Sequence, residues 1–139
     1  MEILIVGGGY IGMYTARRLE RLLRRGEATV TVVDPRGYMT YQPFLAEAAG
    51  GSVEPRHVIV PLPRMLRHTR VLTGKIVSID HARRLAVFAP ARGPERALRY
   101  DVLVMAAGSV SRVLPVEGLA EYGAGFKTVS EAEIGRAHV

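Results

Sequence analysis

Three glycines near the N-terminus, Gly7, Gly9 and Gly12, have the G-x-G-x-x-G spacing of loops that bind dinucleotide phosphates. The first glycine allows a sharp turn from strand to helix, the second lets a pyrophosphate approach the backbone, and the third lets the helix pack closely against the sheet. Phosphates bound there would face the free N–H groups and the positive end of the helix dipole. The spacing therefore predicts a dinucleotide site in this loop.

Asp34 follows the last of these glycines by roughly 20 residues, the separation at which an acidic residue completes the fingerprint. Its carboxylate would accept hydrogen bonds from a pair of ribose hydroxyls and would repel a 2′-phosphate. Taken alone, an aspartate before Pro35 is also typical of a turn. The full spacing favours the ribose role, so we predict that this site does not hold NADP.

The residues around the glycines predict a strand–helix–strand unit over residues 1–34. Ile3–Val6 is an apolar run short enough for a buried parallel strand, and Val30–Val33 is a second one. Between them, Tyr10–Arg25 has the pattern of an amphipathic helix that Gly26 would end. The apolar face of this helix is expected to contain Ile11, Ala16, Leu19, Leu22 and Leu23.

Downstream of this unit the pattern changes twice. Residues 35–70 are rich in proline and predict a long connection, with a helix-like piece at Pro43–Ala49 and a short turn or helix within Arg56–His68. Residues 71–80, 84–89 and 97–100 predict a small antiparallel meander, and residues 101–108 a further, fully buried parallel strand. The predicted fold class is α/β: a Rossmann-like doubly wound parallel sheet with a small antiparallel β-meander, incomplete in this chain.

The composition excludes several kinds of functional site. The chain has 139 residues, a net charge of +6 at pH 7 and no cysteine, which excludes disulfides, thiolate metal sites and cysteine nucleophiles within it. The four histidines, at positions 57, 68, 81 and 138, lack the spacing of metal ligands, so we predict no metal site.

The arginines are scattered along the chain with few aromatic residues between them, which argues against binding to nucleic acid. Neither a signal peptide nor a membrane-spanning run is present, so a cytoplasmic location is predicted.

The glycine loop, Asp34, the meander and the segment Tyr100–Ser109 together resemble the FAD-binding part of the two-dinucleotide-domain flavoprotein reductases, the pyridine nucleotide-disulfide oxidoreductase superfamily. In that superfamily a short Ala-Thr-Gly motif closes over FAD, and here its middle residue is alanine. The redox cysteine pair of the disulfide reductases is missing. The segment from Asp34 to Gly50, with its Gln-Pro-Phe-Leu run, is instead similar to the type II NADH dehydrogenases.

The resemblance implies an enzyme that passes hydride from NADH to FAD and then electrons to a membrane quinone. It implies no catalytic acid or base in this segment, only cofactor-holding roles. The glycine loop and Asp34 would hold the ADP part, Arg36 would lie over adenine or phosphate, and the backbone of Ile76 would meet adenine. The full set of implied FAD-binding residues is Gly7, Gly9, Tyr10, Ile11, Gly12, Asp34, Arg36, Gln42, Pro43, Ile76, Ala106, Ala107, Gly108 and Ser109. Among these, Gln42 and Pro43 would approach the isoalloxazine, and Ala106 to Ser109 would close the site.

The same resemblance implies a second Rossmann unit for NADH and a C-terminal region for peripheral membrane contact, neither of which is in this chain. We therefore predict that residues 1–132 are the first segment of a truncated FAD-binding domain. Residues 133–139 are predicted to be a non-native tail, because from Ile134 onward they back-translate to a common sequencing adapter.

Two alternatives stay open at this point. One is another cysteine-free FAD/NAD(P)H reductase of the ferredoxin or rubredoxin reductase type. The other is a small, non-catalytic nucleotide-binding module that is complete at this length.

Overall fold

The computed structural model describes residues 1–110, 112, 114–123 and 125–137, so the last two residues of the predicted tail lie outside it. The chain divides into two compact units. Unit 1 comprises Met1–Met39 and Pro61–Gly108, and unit 2 comprises Thr40–Val60 and Ser109–Val139.

The described part of the chain contains both strands and helices. The strands are β1 (Glu2–Val6), β2 (Thr29–Asp34), β3 (Tyr38–Thr40), β4 (Ile59–Pro61), β5 (Arg70–Asp80), β6 (Leu85–Pro90), β7 (Arg96–Arg99) and β8 (Val102–Met105). The helices are α1 (Tyr10–Leu22), α2 (Leu45–Ala49), α3 (Leu62–Met65), α4 (Leu119–Tyr122) and α5 (Val129–Arg136), with 3-10 turns at Gln42–Phe44 and Pro55–Val58.

Unit 1 is built on a six-stranded sheet with the order β7-β6-β5-β2-β1-β8. Strand β1 pairs in parallel with both β2 and β8, and β2 pairs in parallel with β5. Strands β5, β6 and β7 form an antiparallel meander. The α/β, Rossmann-like fold class with its small meander is therefore confirmed.

Strand β5 belongs to both halves of this sheet, and Gly74 lies where they meet. Its first residues, Arg70–Thr73, run parallel to β2, and the residues from Gly74 onward run antiparallel to β6. A Cβ added at Gly74 would collide with the carbonyl oxygen of Ala89 and lie 2.6 Å from the Phe88 ring. The close approach of β5 to β6 at Gly74 therefore depends on the missing side chain.

Helix α1 is shorter than predicted, and its buried face matches the predicted face only in part, at Ala16. It ends at Leu22 rather than Arg25, because Leu23 has an extended backbone with ψ 138°. The buried residues are Gly12, Met13 and Ala16, whereas Ile11 and Leu22 are 69% and 61% exposed. At about 100° per residue these two side chains lie outside the arc of the buried three, so their placement on the apolar face was wrong.

Strand β8 pairs in parallel with β1 as predicted, but it is not fully buried. Val102 is 41% and Met105 57% exposed. Since β8 is the last strand of the described sheet, it has a paired neighbour on one side only. A continuous apolar run of four residues does not distinguish a central strand from an edge strand, which is why the sequence pattern misled here.

The meander and the parallel strands of unit 1 share one core cluster. Its buried members are Leu4, Val33, Ala86, Phe88 and Tyr100. One of these members, Val33, directly precedes Asp34 at the carboxyl end of β2.

Unit 2 has a small core of its own. Leu45 and Ala48 of α2 pack with Val58 and with Ala132 of α5. The predicted helix-like piece at Pro43–Ala49 is split in the structure into the Gln42–Phe44 turn and the helix α2. The short strands β3 and β4, which pair with each other, were not predicted.

Candidate functional site

The glycine loop joins β1 to α1 at the carboxyl end of the parallel strands. Gly7 has φ +104°, a left-handed conformation that favours glycine, and its N–H donates to the carbonyl oxygen of Val33 at 2.8 Å. A Cβ at Gly7 would collide with the carbonyl oxygen of Ala106 and lie 3.1 Å from the Cα of Ala107. The structure thus brings the first glycine against the segment that follows β8.

The other two motif glycines differ in how much space there is for a Cβ atom. A Cβ at Gly12 would collide with the carbonyl oxygen of Gly7 and lie 3.3 Å from a methyl group of Ile5. A Cβ at Gly9 would have no heavy atom within 4 Å, and its backbone has φ −70°, which any residue adopts. Protein packing therefore requires glycine at position 12 but not at position 9, where the space is open.

The open position lies at the start of helix α1. The carbonyl oxygen of Gly9 accepts the first bond of the helix, from the N–H of Met13 at 2.9 Å. The N–H groups in the first turn of a helix have no acceptor within that helix, and the dipole makes this end positive. A phosphate in the space beside Gly9 would have these donors available, which fits a dinucleotide pyrophosphate.

Asp34 has a buried carboxylate that accepts hydrogen bonds from three backbone N–H groups. Its Oδ2 accepts a hydrogen bond from the N–H of Gly8 at 2.9 Å. Its Oδ1 accepts from the N–H groups of Arg36 at 2.9 Å and Gly37 at 3.1 Å. Asp34 is only 4% exposed. The carboxylate thus links the glycine loop to the turn that follows β2.

Gly8 is a residue of this site that the sequence analysis did not single out. A Cβ there would collide with Leu62 and lie 3.0 Å from the Cβ of Asp34. Only a glycine lets the backbone come this close to Asp34. Three consecutive glycines, where the motif requires only the first and third of them, were the signal that could have identified Gly8.

Arg36 lies in the turn after Asp34 with its side chain exposed. Its guanidinium carbon is 5.5 Å from the centre of the Tyr38 ring, within cation–π range. This contact holds a planar cation at the surface beside the carboxyl end of β2. Such a group can stack on a base or pair with a phosphate.

The remaining predicted residues of unit 1 are divided between the loop and the meander. The N–H of Ala106 donates a hydrogen bond to the carbonyl oxygen of Val6 in β1 at 2.8 Å. Ala107 and Gly108 follow and are exposed. Ile76 lies in the antiparallel part of β5, where it pairs with Phe88 and packs against the core cluster.

Gln42, Pro43 and Ser109 belong to unit 2. All three are exposed, and Lys127 connects two of them. The Gln42 amide donates to the Lys127 carbonyl oxygen at 3.4 Å, and the Lys127 ammonium donates to the Ser109 hydroxyl at 3.3 Å. Lys127 was not among the predicted site residues.

A capping box fixes the backbone of Lys127. The Glu131 carboxylate accepts hydrogen bonds from the N–H groups of Lys127 and Thr128 at 2.7 and 2.8 Å. In return, the Thr128 hydroxyl accepts a hydrogen bond from the N–H of Glu131 at 3.3 Å. The N–H groups of Lys127 and Thr128 hold the pKa of the Glu131 carboxyl below its usual value. The Thr-x-x-Glu spacing before α5 was the available signal.

Among the residues that the structure describes, no group of three or more histidine, aspartate or glutamate side chains is arranged to hold a metal ion. No helix in this part of the chain is both long enough and apolar enough to cross a membrane.

The comparison with protein families identifies the chain. The family model described as pyridine nucleotide-disulphide oxidoreductase matches residues 1–138. The chain belongs to this family. Members of the pyridine nucleotide-disulphide oxidoreductase family are FAD-dependent oxidoreductases, and the resemblance found in the sequence is confirmed.

Two curated relatives show how much of such a protein the chain represents. It is 29% identical over 135 residues to demethylphylloquinone reductase of Synechocystis sp., covering 94% of this chain and 33% of that protein. It is 24% identical over 141 residues to the type II NADH:quinone oxidoreductase of Staphylococcus aureus, covering 99% of this chain and 34% of that protein. The chain thus spans about a third of the length of these relatives.

A solved structure supports the fold. NDH2 from Plasmodium falciparum, in complex with NADH, superposes with a TM-score of 0.86 at 20% identity, over 97% of this chain and 28% of that one. At this identity the likeness concerns the fold alone.

Proposed function

We propose that this chain is the FAD-holding segment of an NADH:quinone oxidoreductase similar to the type II NADH dehydrogenases. The observation that carries the proposal is the contrast within the glycine loop. Gly7 and Gly12 are packed against protein, whereas the space at Gly9 is open at the start of α1. That is the arrangement a pyrophosphate needs, in a chain of an FAD-dependent family.

The residues present fit the adenine dinucleotide end of FAD. The loop from Gly7 to Gly12, including Tyr10 and Ile11, would hold the pyrophosphate, with Asp34 beside it. Arg36 and Ile76 would lie near the adenosine, and Ala106, Ala107, Gly108 and Ser109 would close the site. Gln42 and Pro43 would meet the isoalloxazine. FAD supplies hydride acceptance and electron transfer when it is bound, and the protein residues bind and orient it.

We place the NADH site, the quinone site and any peripheral membrane contact outside this chain, and we keep residues 1–132 as the FAD-binding segment. NADH and a quinone are the proposed partners of the whole protein. They are supported by the Staphylococcus aureus relative, which is a type II NADH:quinone oxidoreductase. The cytoplasmic location and the non-native tail at residues 133–139 stay predictions.

The proposal is tested by titrating the purified chain with FAD and following the quenching of flavin fluorescence. We expect saturable binding that ADP displaces, because the proposed contacts are to the ADP half. FAD binding that ADP leaves unchanged would contradict the proposal, as would a chain that binds no FAD.

A further inference from the structure

We infer that a cavity at the amino ends of the parallel strands is a second ligand site, which binds a small organic monocarboxylate with an apolar body. The cavity has a volume of about 220 Å³ and is lined by residues of β1, β2, β5 and β7. All of these strands belong to unit 1. The glycine loop follows the carboxyl end of β1, so this cavity is separate from the site proposed for FAD.

The cavity exists because the six-stranded sheet folds back on itself. Strands β7 and β1 are separated by three strands in the sheet order, yet residues of both line the cavity. Leu4 of β1 is a buried member of the core cluster of unit 1, and Leu98 of β7 packs against that cluster. These two leucines and Ala97 give the cavity an apolar wall.

One polar side chain of the cavity is buried without a partner. Thr31 pairs in register with Leu4 of β1 and Arg70 of β5, so the three side chains lie on the same face of the sheet. Thr31 is only 8% exposed, and its hydroxyl has no hydrogen-bond partner in the part of the chain that the structure describes. Since a buried hydroxyl without a partner costs free energy, a ligand group in the cavity is its natural partner.

The charged groups of the cavity favour a ligand with a single negative charge. Arg70 and Arg99 line it, and neither forms an ion pair with a described residue. The carboxylate of Glu2, which also lines it, has no such partner either. Two guanidinium groups and one carboxylate leave one positive charge. A carboxylate neutralises this charge and matches the planar guanidinium, whereas a phosphate would carry nearly twice the charge needed.

The volume indicates the size of the ligand. An engineered apolar cavity of about 150 Å³ holds benzene. A cavity of about 220 Å³ therefore has space for a ring of that size and a carboxylate. Benzoate has both parts, so it is the probe for this site.

The first experiment is calorimetric titration of the purified chain with benzoate, benzyl alcohol and inorganic phosphate. We expect one saturable benzoate site, and binding at least about tenfold weaker for the alcohol, which lacks the charge, and for phosphate, which lacks the apolar body. A chain that does not bind benzoate would contradict the proposed site. Binding of either comparison ligand as tightly as benzoate would contradict it too.

Arginine variants test whether the cavity itself binds the carboxylate. Arg70→Gln and Arg99→Gln should each weaken benzoate about tenfold, because each removes a charge-assisted hydrogen bond. Arg92→Gln is the matched control, since it removes the same charge from an exposed residue between β6 and β7 that does not line the cavity. Equal weakening in all three variants would mean general attraction by the positive chain and would rule out the site.

Thr31→Val tests the unpartnered hydroxyl with a side chain of the same shape. Benzoate affinity should fall about threefold, while the unfolding temperature should be no lower than that of the unchanged chain, because no hydrogen bond within the protein is lost. A lower unfolding temperature would show that the hydroxyl has a partner in the protein, and unaltered benzoate affinity would show that it does not contact the ligand. Either result would count against the site.

A competition experiment separates this site from the proposed FAD site. Benzoate should bind equally well, within about twofold, in the absence of FAD and at saturating FAD, because sites at opposite ends of the parallel strands do not overlap. Loss of benzoate binding at saturating FAD would place benzoate in the flavin site and overturn the inference. If the chain binds benzoate as expected but no FAD, the proposed function fails while the carboxylate site stands.

Discussion

At the scale of single residues, the three motif glycines are required for different reasons. Gly7 and Gly12 are held by protein contacts, so their replacement acts on folding. Gly9 has space for a side chain, so its replacement would affect a ligand bound in that space. This distinction makes stability and binding separable within one loop.

We expect Gly9→Ala to leave the free energy of unfolding within about 0.5 kcal/mol of the unchanged chain, because its φ of −70° suits alanine. FAD affinity should fall at least about tenfold, because the new methyl group occupies the space beside the pyrophosphate. Denaturant unfolding and flavin fluorescence measure the two effects. Gly50→Ala, at a residue with φ −74° in unit 2, is the control for both. Undiminished FAD binding by Gly9→Ala would show that no phosphate lies there.

Gly12→Ala should behave in the opposite way. Its Cβ would collide with the carbonyl oxygen of Gly7, so we expect a loss of about 1–3 kcal/mol in the free energy of unfolding. Thermal or denaturant unfolding without FAD measures the loss. A variant as stable as the unchanged chain would mean that α1 does not pack as closely on the loop as the structure has it.

At the scale of elements, α1 is tied to the start of β5 through Glu20. One oxygen of its carboxylate accepts bonds from the N–H of His68 and the hydroxyl of Thr69, both at 2.8 Å. Burial alone would raise the pKa of Glu20, but the bonds from Thr69 and from backbone N–H groups outweigh it and leave the pKa below its ordinary value of 4.5.

Glu20→Gln is therefore expected to lower the free energy of unfolding by about 1 kcal/mol at neutral pH. Because the folded pKa is the lower one, the stabilisation by the ionised carboxylate is present above the unfolded value of 4.5 and is lost as pH falls through the folded pKa. Denaturant unfolding should show the two proteins converging below pH 4.5. Glu27→Gln, an exposed glutamate that accepts one backbone bond from Arg24, is the control. A difference independent of pH would refute this account.

The close approach of β5 to β6 at Gly74 allows a second test at this scale. Gly74→Ala would place a methyl group against the Ala89 carbonyl and the Phe88 ring, and we expect it to cost about 1–3 kcal/mol in the free energy of unfolding. Gly93→Ala is a fair comparison, because Gly93 also has a positive φ while its Cβ position is open to within 4.0 Å of Pro90. Equal losses in the two variants would attribute the effect to backbone conformation alone.

At the scale of the whole molecule, the chain covers about a third of its relatives, so FAD binding and NADH oxidation need not be found together. We expect the chain with added FAD to oxidise NADH, in the presence of a soluble quinone, no faster than free FAD does. Hydride transfer requires the nicotinamide to be held against the flavin, and the site for that is proposed to lie elsewhere. NADH absorbance measures the rate. Turnover well above that of free FAD would contradict the proposal that the NADH site lies outside this chain.

The amino-acid sequence by itself determined the strand–helix–strand unit of β1, α1 and β2, the later strands of the six-stranded sheet, the glycine loop and the family. These features depend on local spacing: a period of two or 3.6 residues, and glycines where the backbone turns or approaches closely. Only the tertiary structure decided which face of α1 is buried, that β8 is exposed at its two end residues, and what the carboxylate of Asp34 contacts. The physical reason is that burial and hydrogen-bond partners are set by segments distant in sequence. The N–H of Gly8, which meets Asp34 from 26 residues away, is an example that no local pattern encodes.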